Sequence, residues 1–327
     1  LEAAFRSLEL LVSIDIFRNE TANLAHYILP GSSALQRPDL PFVFQSLMGV
    51  QPIPYVQYTD ALVPMQAEQR DETQILLELA QACGAPVFGS RLMGGLLNGW
   101  LNLRSLPLLG RRLGFSTERM LAVMARAFKL GSLDSLRADP HGRLLPSHFG
   151  EDFLGKRVVT DDGLVDLAPP EFVQAAAELE AAFERERGQL SRLKLISKRE
   201  SHSHNSWLHN HPHFVEGKRR TNYLYMNPAD GERVGVQSGD LVEVSSDVAA
   251  TRLPVQLSDE MMVGAVALPH GWGHQQADGL SVARQTEGAN VNLLAADGPE
   301  RLECFSGMAQ LNGILVDVRP VNHGDET

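Results

Sequence analysis

After Leu190 the sequence divides into short apolar runs that are separated by glycine, proline, asparagine and aspartate residues. Apolar and β-branched runs of this length between turn residues are typical of strands in all-β domains. We therefore predict a separate, barrel-like β domain in this part of the chain. The predicted strands are Leu193–Ser197, Leu241–Ser246, Leu253–Leu257, Val263–Leu268 and Ile314–Arg319.

The N-terminal part of the sequence has a different pattern, in which a strand is followed by a polar loop. Leu11–Phe17 predicts a β-strand, Arg18–Pro30 a short helical or irregular link, and Leu29–Ser33 a loop. Gln51–Pro64 contains three prolines, which favours extended chain because proline has no N–H to donate. This pattern indicates an α/β layer. Since the chain opens at Leu1 without an initiator methionine, we expect it to be a piece of a longer protein.

A capping box marks the start of one helix. Asp71 is predicted as the N-cap and Gln74 as the N3 residue whose side chain returns to the N-cap backbone. The helix is expected to end at Gly84 and Pro86, because both residues interrupt helical hydrogen bonding.

The middle of the chain, from Phe88 to Arg187, is mostly helical in pattern. One helix is predicted from Thr117 to about Leu130. A second is predicted to begin with Pro170 at N1 and to end at Gly188. The second helix has an apolar face at 3.6-residue spacing, formed by Phe172, Val173, Ala176, Leu179 and Phe183.

Charge and cysteine content exclude several classes of protein. The 29 Lys and Arg residues against 40 Asp and Glu give a net charge of −11, which argues against a general nucleic-acid or anionic-membrane surface. Cys83 and Cys304 are the only cysteines, so neither a disulfide framework nor a cysteine metal cluster can form, and a reducing compartment is expected. The most apolar stretch, Met93–Leu109, is shorter than the roughly 20 residues of a membrane span and is not N-terminal.

The strongest chemical signal is the polar segment Lys198–His213, in which five of the eleven histidines fall within twelve residues. A solvated surface loop is one interpretation. A zinc or iron site is another, although the spacing matches no H-E-x-x-H helix and no cysteine is near. We favour a third, in which arginine, serine, asparagine and histidine side chains surround a polyanionic ligand that is rich in heteroatoms.

A short capped helix is predicted immediately before the strand at Leu241. Asn227 is suited to the N-cap, Pro228 to N1 and Asp230 to N3, and Gly235 is suited to end the helix. These helix-forming roles explain every residue of the segment. They leave open whether the Asp230 carboxylate also accepts hydrogen bonds from a guanine N1–H and its exocyclic amine.

Two further segments have the composition of a pocket wall. Gly271 and Gly273 flank Trp272 at the end of an apolar strand, where glycine permits close approach of the backbone. Asn290 and Asn292 are spaced to lie on one face of an extended segment, where their amides offer donors and acceptors to a heterocycle; ordinary turn formation is the alternative. We find no G-x-G-x-x-G, Walker A or G-x-S-x-G motif.

Taken in order, these segments resemble the C-terminal half of the molybdopterin-dependent oxidoreductases of the dimethyl sulfoxide reductase superfamily, which includes formate dehydrogenases and nitrate reductases. Residues 20–30 resemble the family's ET…AD-x-x-LP segment, with His26 where Asp is usual and Gln36 where Glu often follows. Residues 195–210 resemble its pterin-lining loop LIGRR…NNSW-M-HN. Within that loop the chain has Ser197, Lys198, His202 and His204 in place of Gly, Arg, Arg and Asn.

The resemblance continues to the later motifs and covers nearly the whole chain. Residues 227–231 are similar to the family's NP-x-DA motif, with Gly231 in place of Ala. Residues 269–274 are similar to PHGWGH, and residues 288–293 to GANVN-x-L. Each motif is short, and their order along the chain makes the resemblance specific.

The resemblance implies a fold and a set of cofactor-binding residues. It implies the C-terminal part of an α/β domain at 1–87, a mainly helical connector at 88–189, and a double-psi β-barrel at 190–327 that binds a molybdopterin guanine dinucleotide. Asn227 and Asp230 would face the guanine, and Trp272, Asn290 and Asn292 the pterin edge. The pterin or phosphates would contact Arg199, His204, Asn205 and Ser206, with Lys198, His202 and His270 completing the set.

The same resemblance implies that the redox centre is only partly encoded here. The family's molybdenum ligand and iron–sulfur cysteines lie N-terminal to the matched region, so neither Cys83 nor Cys304 is assigned to a metal and no catalytic residue is predicted in this chain. The implied cofactors are bis(molybdopterin guanine dinucleotide) with molybdenum or tungsten, and a [4Fe-4S] cluster in the remaining N-terminal region of the enzyme. Cofactors carry the redox chemistry, and the protein orients and tunes them.

We therefore predict the cofactor-binding C-terminal portion of a cytoplasmic oxidoreductase that catalyses two-electron or oxygen-atom transfer, with formate dehydrogenase-like activity favoured. Its expected partners are the rest of the enzyme, a small-molecule substrate and an electron-transfer partner, with no nucleic acid and no membrane span. Two alternatives stay open at this point. One is a non-enzymatic β-barrel that binds a protein partner, and the other is a hydrolase whose metal is held by the histidines.

Overall fold

The computed structural model describes residues 1–41, 55–85, 89–108, 110, 113–146, 158 and 160–321. The chain forms two compact units. The barrel unit comprises Leu1–Leu11, Phe17–Tyr27 and Pro169–Thr327, and the helical unit comprises Val12–Ile16 and Ile28–Ala168. The predicted boundaries at 87/88 and 189/190 stay a prediction. Of the sequence predictions above, those for residues 51–54, Pro86, Phe88 and Leu109 lie outside the described residues.

Helices and strands alternate irregularly in the first half of the chain, and strands dominate the second half. The α-helices are α1 (Glu2–Arg6), α2 (Glu20–Leu24), α3 (Glu72–Ala82), α4 (Arg91–Leu103), α5 (Thr117–Ala127), α6 (Leu133–Arg137), α7 (Pro170–Ala176), α8 (Leu179–Arg187) and α9 (Pro228–Val234). The strands are β1 (Val12–Asp15), β2 (Tyr27–Pro30), β3 (Tyr55–Val56), β4 (Arg143–Leu144), β5 (Leu193–Lys198), β6 (Leu224–Met226), β7 (Leu241–Ser245), β8 (Ala250–Leu257), β9 (Ala265–Pro269) and β10 (Asn312–Pro320).

The helical unit is built from two small sheets and the helices α3 to α6. β1 pairs with β2, and β3 pairs antiparallel with β4. Leu29 and Pro30 therefore belong to a strand, and the loop predicted there begins only after them. The core beside β3 is formed by buried side chains of the extended segments and of α5 and α6, namely Leu40, Val56, Tyr58, Leu121, Ala125, Leu130, Leu133 and Leu136.

Helix α3 begins at the predicted N-cap but without the full capping box. The Asp71 carboxylate accepts a hydrogen bond from the Thr73 amide at 2.9 Å. The Gln74 side chain donates instead to Glu78 one turn later, at 2.6 Å, so the reciprocal half of the box was wrongly predicted. Gln74 and Glu78 are neighbours at i and i+4 on the helix surface, and their hydrogen bond competes with a hydrogen bond from the Gln74 side chain to the Asp71 backbone.

The helix predicted from Pro170 to Gly188 is interrupted. α7 ends at Ala176 and α8 begins at Leu179. Its apolar face is exposed: Phe172, Leu179 and Phe183 retain 55%, 66% and 62% of their accessible surface, although Phe172 stacks on Phe305 with ring centroids 4.2 Å apart.

The barrel unit contains a closed six-stranded barrel with the strand order β10-β5-β9-β6-β8-β7. β5 pairs parallel with β9, and β6 pairs parallel with β8. The other four pairings are antiparallel. Two parallel pairs whose members are separated along the chain by other strands of the same barrel are the arrangement of a double-psi β-barrel, so the predicted fold class is confirmed.

The barrel strands are packed around one apolar core. Alternate residues of the strands point inward, as period-two geometry requires. The largest fully buried side chains come from every strand except β10, including Leu195, Leu224, Met226, Val242, Leu253, Val255, Val266 and Leu268, and β10 adds buried Val316. Five of the six barrel strands overlap the predicted ones; the sixth, β6, was not predicted.

No described helix combines the length and the apolar character needed to cross a membrane.

Candidate functional site

Three loops meet at one end of the barrel. Because β5 runs parallel to β9, with Lys198 paired to Pro269, the chain leaves both strands at the same end. β6 is antiparallel to β9, so the segment that precedes Leu224 lies at this end too. We call it the site end. The histidine-rich segment, the Gly-Trp-Gly turn and residues 217–223 therefore converge there.

His209 is the buried centre of the histidine-rich segment, with only 2% of its surface exposed. Its Nδ1 lies 2.7 Å from the Gly271 carbonyl oxygen, which can only accept, so Nδ1 carries the proton. The ring also packs on Trp272 with centroids 4.2 Å apart. Burial is the main cause that lowers the pKa of His209 below its usual value. His209 is thus a neutral ring that holds the Gly-Trp-Gly turn in place.

The two glycines of that turn are required by close contacts. Gly271 and Gly273 have φ values of +90° and +94°, which L side chains rarely adopt. A Cβ atom at Gly271 would lie 2.2 Å from the backbone oxygen of Asn205, and one at Gly273 would lie 2.5 Å from Cβ of Asn290. The predicted close approach of backbone at this turn is therefore present.

Asn222 joins residues 217–223 to the end of β9 and to Ala289 through one buried amide. Its Nδ2 donates to the carbonyl oxygens of Pro269 and Ala289, each at 2.9 Å, and its Oδ1 accepts from the Ala289 amide at 2.9 Å. The side chain is fully buried. The sequence does not reveal Asn222, because a single asparagine before a three-residue strand has no distinctive spacing.

A cavity of about 220 Å³ opens among these loops. Its wall combines aromatic rings, two cationic side chains and hydroxyl groups, a donor set that suits a flat anionic heterocycle. The lining residues are Glu200, His202, Ser203, His209, Phe214, Lys218, Arg219, Thr221, Tyr223, Tyr225 and Trp272.

Charged and aromatic groups are paired around the cavity. The Lys198 Nζ lies 3.6 Å from the centroid of the Tyr225 ring, a cation–π contact. The Trp272 indole N–H donates to Glu200 Oε2 at 3.3 Å. Burial, with smaller contributions from Glu200 and Tyr223, raises the pKa of Tyr225, so its phenol stays protonated and can donate.

Most of the predicted cofactor residues lie at the site end. His202 and Trp272 line the cavity. His270 Nδ1 contacts the Lys198 carbonyl oxygen at 2.9 Å, and its Nε2 contacts Asn205 Oδ1 at 3.1 Å. The remaining predicted residues of the histidine-rich segment are Arg199, His204 and Asn205, which are exposed, and Ser206, which is partly buried.

The asparagine pair was predicted on one face of an extended segment, and this was wrong. Val291–Leu294 forms a 3₁₀ turn, and Asn290 caps it by accepting a hydrogen bond from the Asn292 amide at 3.0 Å. Asn290 stays beside Gly273 and lines a second cavity with Glu20 and Gln276. The Asn292 side chain points to solvent.

Asn227 and Asp230 lie at the opposite end of the barrel, where β6 ends and β9 begins. Asn227 caps α9 as predicted, and Gly235 ends the helix with φ at +80°. Asp230 is 2% exposed, and its two carboxylate oxygens accept from Arg233 at 3.0 Å and from the Gly264 amide at 2.7 Å. These contacts give Asp230 a structural role, and its contact with guanine stays a prediction.

The described part of the chain contains no group of three or more histidine, cysteine or acidic side chains placed to hold a metal ion. Cys83 and Cys304 are exposed free thiols. Neither thiol lines the cavity at the site end.

A family profile described as "Molydopterin dinucleotide binding domain" matches residues 193–312, which include the site end and most of the barrel. Two curated relatives match part of this chain. One is a subunit of the tetrathionate reductase of Salmonella typhimurium, 30% identical over 116 residues, 31% of this chain. The other is a subunit of the NADH-quinone oxidoreductase of Yersinia pestis, 42% identical over 57 residues, 17% of this chain. The chain spans only 11% and 6% of the length of these relatives.

The fold also resembles a solved structure over almost its whole length. Acetylene hydratase from Pelobacter acetylenicus superimposes with a TM-score of 0.57 at 20% identity, covering 96% of this chain and 40% of that one. At this identity the likeness concerns the fold. The profile match supports the predicted molybdopterin dinucleotide-binding domain in the C-terminal part of the chain.

Proposed function

We propose that this chain is the C-terminal region of an oxidoreductase of the dimethyl sulfoxide reductase superfamily, and that residues 193–312, which match the molybdopterin dinucleotide-binding profile, hold bis(molybdopterin guanine dinucleotide). The observation that carries this proposal is the profile match, which covers the loops around the cavity at the site end. Molybdenum or tungsten bound to the dithiolenes supplies two-electron or oxygen-atom transfer chemistry.

The residues around the cavity fit such a cofactor. Lys218 and Arg219 offer cationic donors for phosphate oxygens. Tyr223 offers aromatic surface for a pterin, and Glu200 offers an acceptor for ring N–H groups. Trp272 is only 4% exposed, so it supports the cavity wall more than it offers surface to a ligand. In a chain with a net charge of −11, these local cations are what would attract an anionic ligand.

The complete enzyme is proposed to contain a further N-terminal region with the metal ligand and a [4Fe-4S] cluster. Formate is the favoured substrate, an electron-transfer protein the favoured redox partner, and the cytoplasm the favoured compartment. Predicted contacts of Arg199, His202, His204, Asn205, Ser206 and His270 with the pterin or its phosphates belong to the same proposal.

Cofactor content of the full-length protein tests this function. After anaerobic purification, acid denaturation should release a fluorescent oxidised pterin and GMP or GDP, and elemental analysis should find molybdenum or tungsten. Formate oxidation and tetrathionate reduction with an artificial electron carrier would then be compared, since the second substrate is the one named for a relative of this chain.

Other outcomes would replace the proposal. A protein that folds but releases no pterin and contains no metal would be a partner-binding β-barrel. Stoichiometric zinc without pterin would instead favour a hydrolase that uses the histidines.

A further inference from the structure

The N-terminal segment 17–24 is fastened to the loop that follows the Gly-Trp-Gly turn, although some 250 residues separate them in sequence. Asn23 Nδ2 donates to the Gln276 carbonyl oxygen at 2.7 Å, and the Gly279 amide donates to the Arg18 carbonyl oxygen at 2.9 Å. A Cβ atom at Gly279 would lie 2.7 Å from Cβ of Arg18. This close fit places α2 directly beside residues 274–279, within the barrel unit.

Glu20 on α2 contacts His274, the first residue after the Gly-Trp-Gly turn. Its Oε1 lies 3.1 Å from His274 Nδ1, and His274 Nε2 lies 2.8 Å from the Gly271 carbonyl oxygen. The His274 side chain is only 14% exposed, whereas the Glu20 side chain is 41% exposed, so the contact joins a largely buried ring to a carboxylate that reaches solvent. Glu20 is thereby joined through one ring to the backbone that carries Trp272.

The Gly271 carbonyl oxygen collects two such contacts. It accepts from His209 Nδ1 at 2.7 Å as well as from His274 Nε2. A carbonyl oxygen has two acceptor sites. Both are used here by imidazole donors, one from a histidine that precedes Gly271 in sequence and one from a histidine that follows it. The carbonyl, and with it the turn, is therefore held by His209 on one side and by the Glu20–His274 pair on the other.

We propose that Glu20 is a positioning residue for the cofactor cleft: by orienting His274, it fixes the Gly271 carbonyl and so the Trp272 ring in the cavity wall. The inference rests on the proposed function for the nature of the ligand. It goes further because α2 does not line the cavity at the site end, yet is proposed to fix the shape of that cavity through His274.

Hydrogen exchange in the full-length protein, prepared without cofactor, tests whether Glu20 holds the turn in place through His274, independently of any ligand. Glu20→Met keeps the length of the side chain but removes its hydrogen bond, whereas Glu20→Gln can still bond the ring. Amides of residues 270–275 should exchange several-fold faster in Glu20→Met and in His274→Ala, and at the original rate in Glu20→Gln. Glu9→Met, at an exposed position, is the control. Unchanged exchange in Glu20→Met would overturn the proposal.

Pterin content of the purified full-length variants tests the role in positioning. Loss of the hydrogen bond to His274, whose ring is largely buried, should lower pterin per protein about three- to tenfold in Glu20→Met. Glu20→Gln should retain the content. Adding Glu20→Met to His274→Ala should cause no further loss, because both remove the same contact.

The two measurements separate the possible failures. Faster exchange with undiminished pterin would mean that the pair is only structural, and multiplicative losses in the double variant would mean that Glu20 does not act through His274. Either result would overturn the proposal. Absence of pterin in the unmodified protein would contradict the proposed function. The exchange experiment would then still decide whether Glu20 positions the turn through His274. If Glu20→Met fails to fold, Glu20→Ala repeats the comparison.

Discussion

Single residues at the Gly-Trp-Gly turn decide how closely the loops of the site end approach. At Gly271 both the backbone conformation and the neighbouring Asn205 oxygen exclude a side chain, whereas Gly239 has a similar φ of +99° with nothing within 4 Å of its Cβ position. An alanine at Gly239 would suffer backbone strain alone, whereas an alanine at Gly271 would suffer the same strain and a steric clash. The difference in stability between the two variants therefore measures the clash.

We expect Gly239→Ala to cost about 1–2 kcal/mol of unfolding free energy, the cost of a left-handed alanine. Gly271→Ala should cost a further 1–3 kcal/mol, roughly, because the methyl group displaces backbone. It should also lower pterin content. Urea denaturation and pterin assay of both variants check this, and equal destabilisation with equal pterin content would contradict it.

Tyr58 in the helical unit ionises at a higher pH than an ordinary tyrosine. Burial first, and then the hydrogen bond and charge of Asp60, raise the pKa of Tyr58 from 10 to about 12. The raised value means that Tyr58 adds no pH dependence well below pH 10, and that stability is lost as pH rises from 10 towards 12, since the unfolded chain ionises first. The late phenolate step in the absorbance of the unmodified protein should shrink by one tyrosine in Tyr58→Phe, leaving the contribution of Tyr225, whose pKa is also raised, and should keep its size in Tyr27→Phe. A late step of equal size in all three proteins would refute the assignment.

At this scale the sequence predicts residues whose roles are local and misses those whose roles come from tertiary contact. Asn227 could be assigned as a cap because its partner, the Ala229 amide, is two residues away. His209 and Asn222 bond to atoms more than 45 residues away, and their burial follows from strand pairing alone. The loops could thus be found in the sequence, but the residues at their centre could not.

Elements of the barrel are tied together by buried polar groups as well as by the core. Asp230 connects the start of α9 to the loop that enters β9, through Arg233 and the Gly264 amide. Its carboxylate is the buried acceptor of both bonds. Removal of the side chain leaves an amide without its partner inside the protein.

Asp230→Ala should therefore destabilise the barrel by about 2–4 kcal/mol. Glu232→Ala on the exposed side of the same helix should change stability by less than about 0.5 kcal/mol. Denaturation followed by intrinsic fluorescence measures both. Undiminished stability of Asp230→Ala with selective loss of bound guanine nucleotide would instead favour the ligand role predicted from the sequence.

Element types were predicted where a pattern was long enough to identify them. β5 and β7 to β10 show runs of apolar residues that local sequence can reveal, whereas β6 has three residues and exists because β8 and β9 pair with its two edges. The break between α7 and α8 carries no glycine or proline, so a continuous helix was the natural expectation.

For the whole molecule, the barrel unit is discontinuous in sequence, since residues 17–27 belong with residues 169–327. A domain boundary drawn at residue 190 omits the segment that contacts Gln276 and Gly279. Composition could not reveal this, because nothing in residues 17–27 resembles a barrel strand.

A truncated chain 190–327 should therefore expose the loop 274–280 even if its strands pair. We expect the amides of this loop to exchange at least tenfold faster than in the full-length protein, since each lost bond is worth about 1 kcal/mol and His274, Gln276 and Gly279 all lose a partner. Amides of β9 provide the internal reference. Equal protection of the loop in both proteins would show that the N-terminal segment is dispensable.

Strand β10 pairs with both β5 and β7, the first and third strands of the barrel in sequence. During synthesis, five strands leave the ribosome as an open sheet whose two outer edges have no partner until residues 312–320 emerge. An unpaired edge is a template for association with other chains. A chain that lacks β10 would consequently leave the outer edges of β5 and β7 open, and we expect it to self-associate where the closed barrel does not.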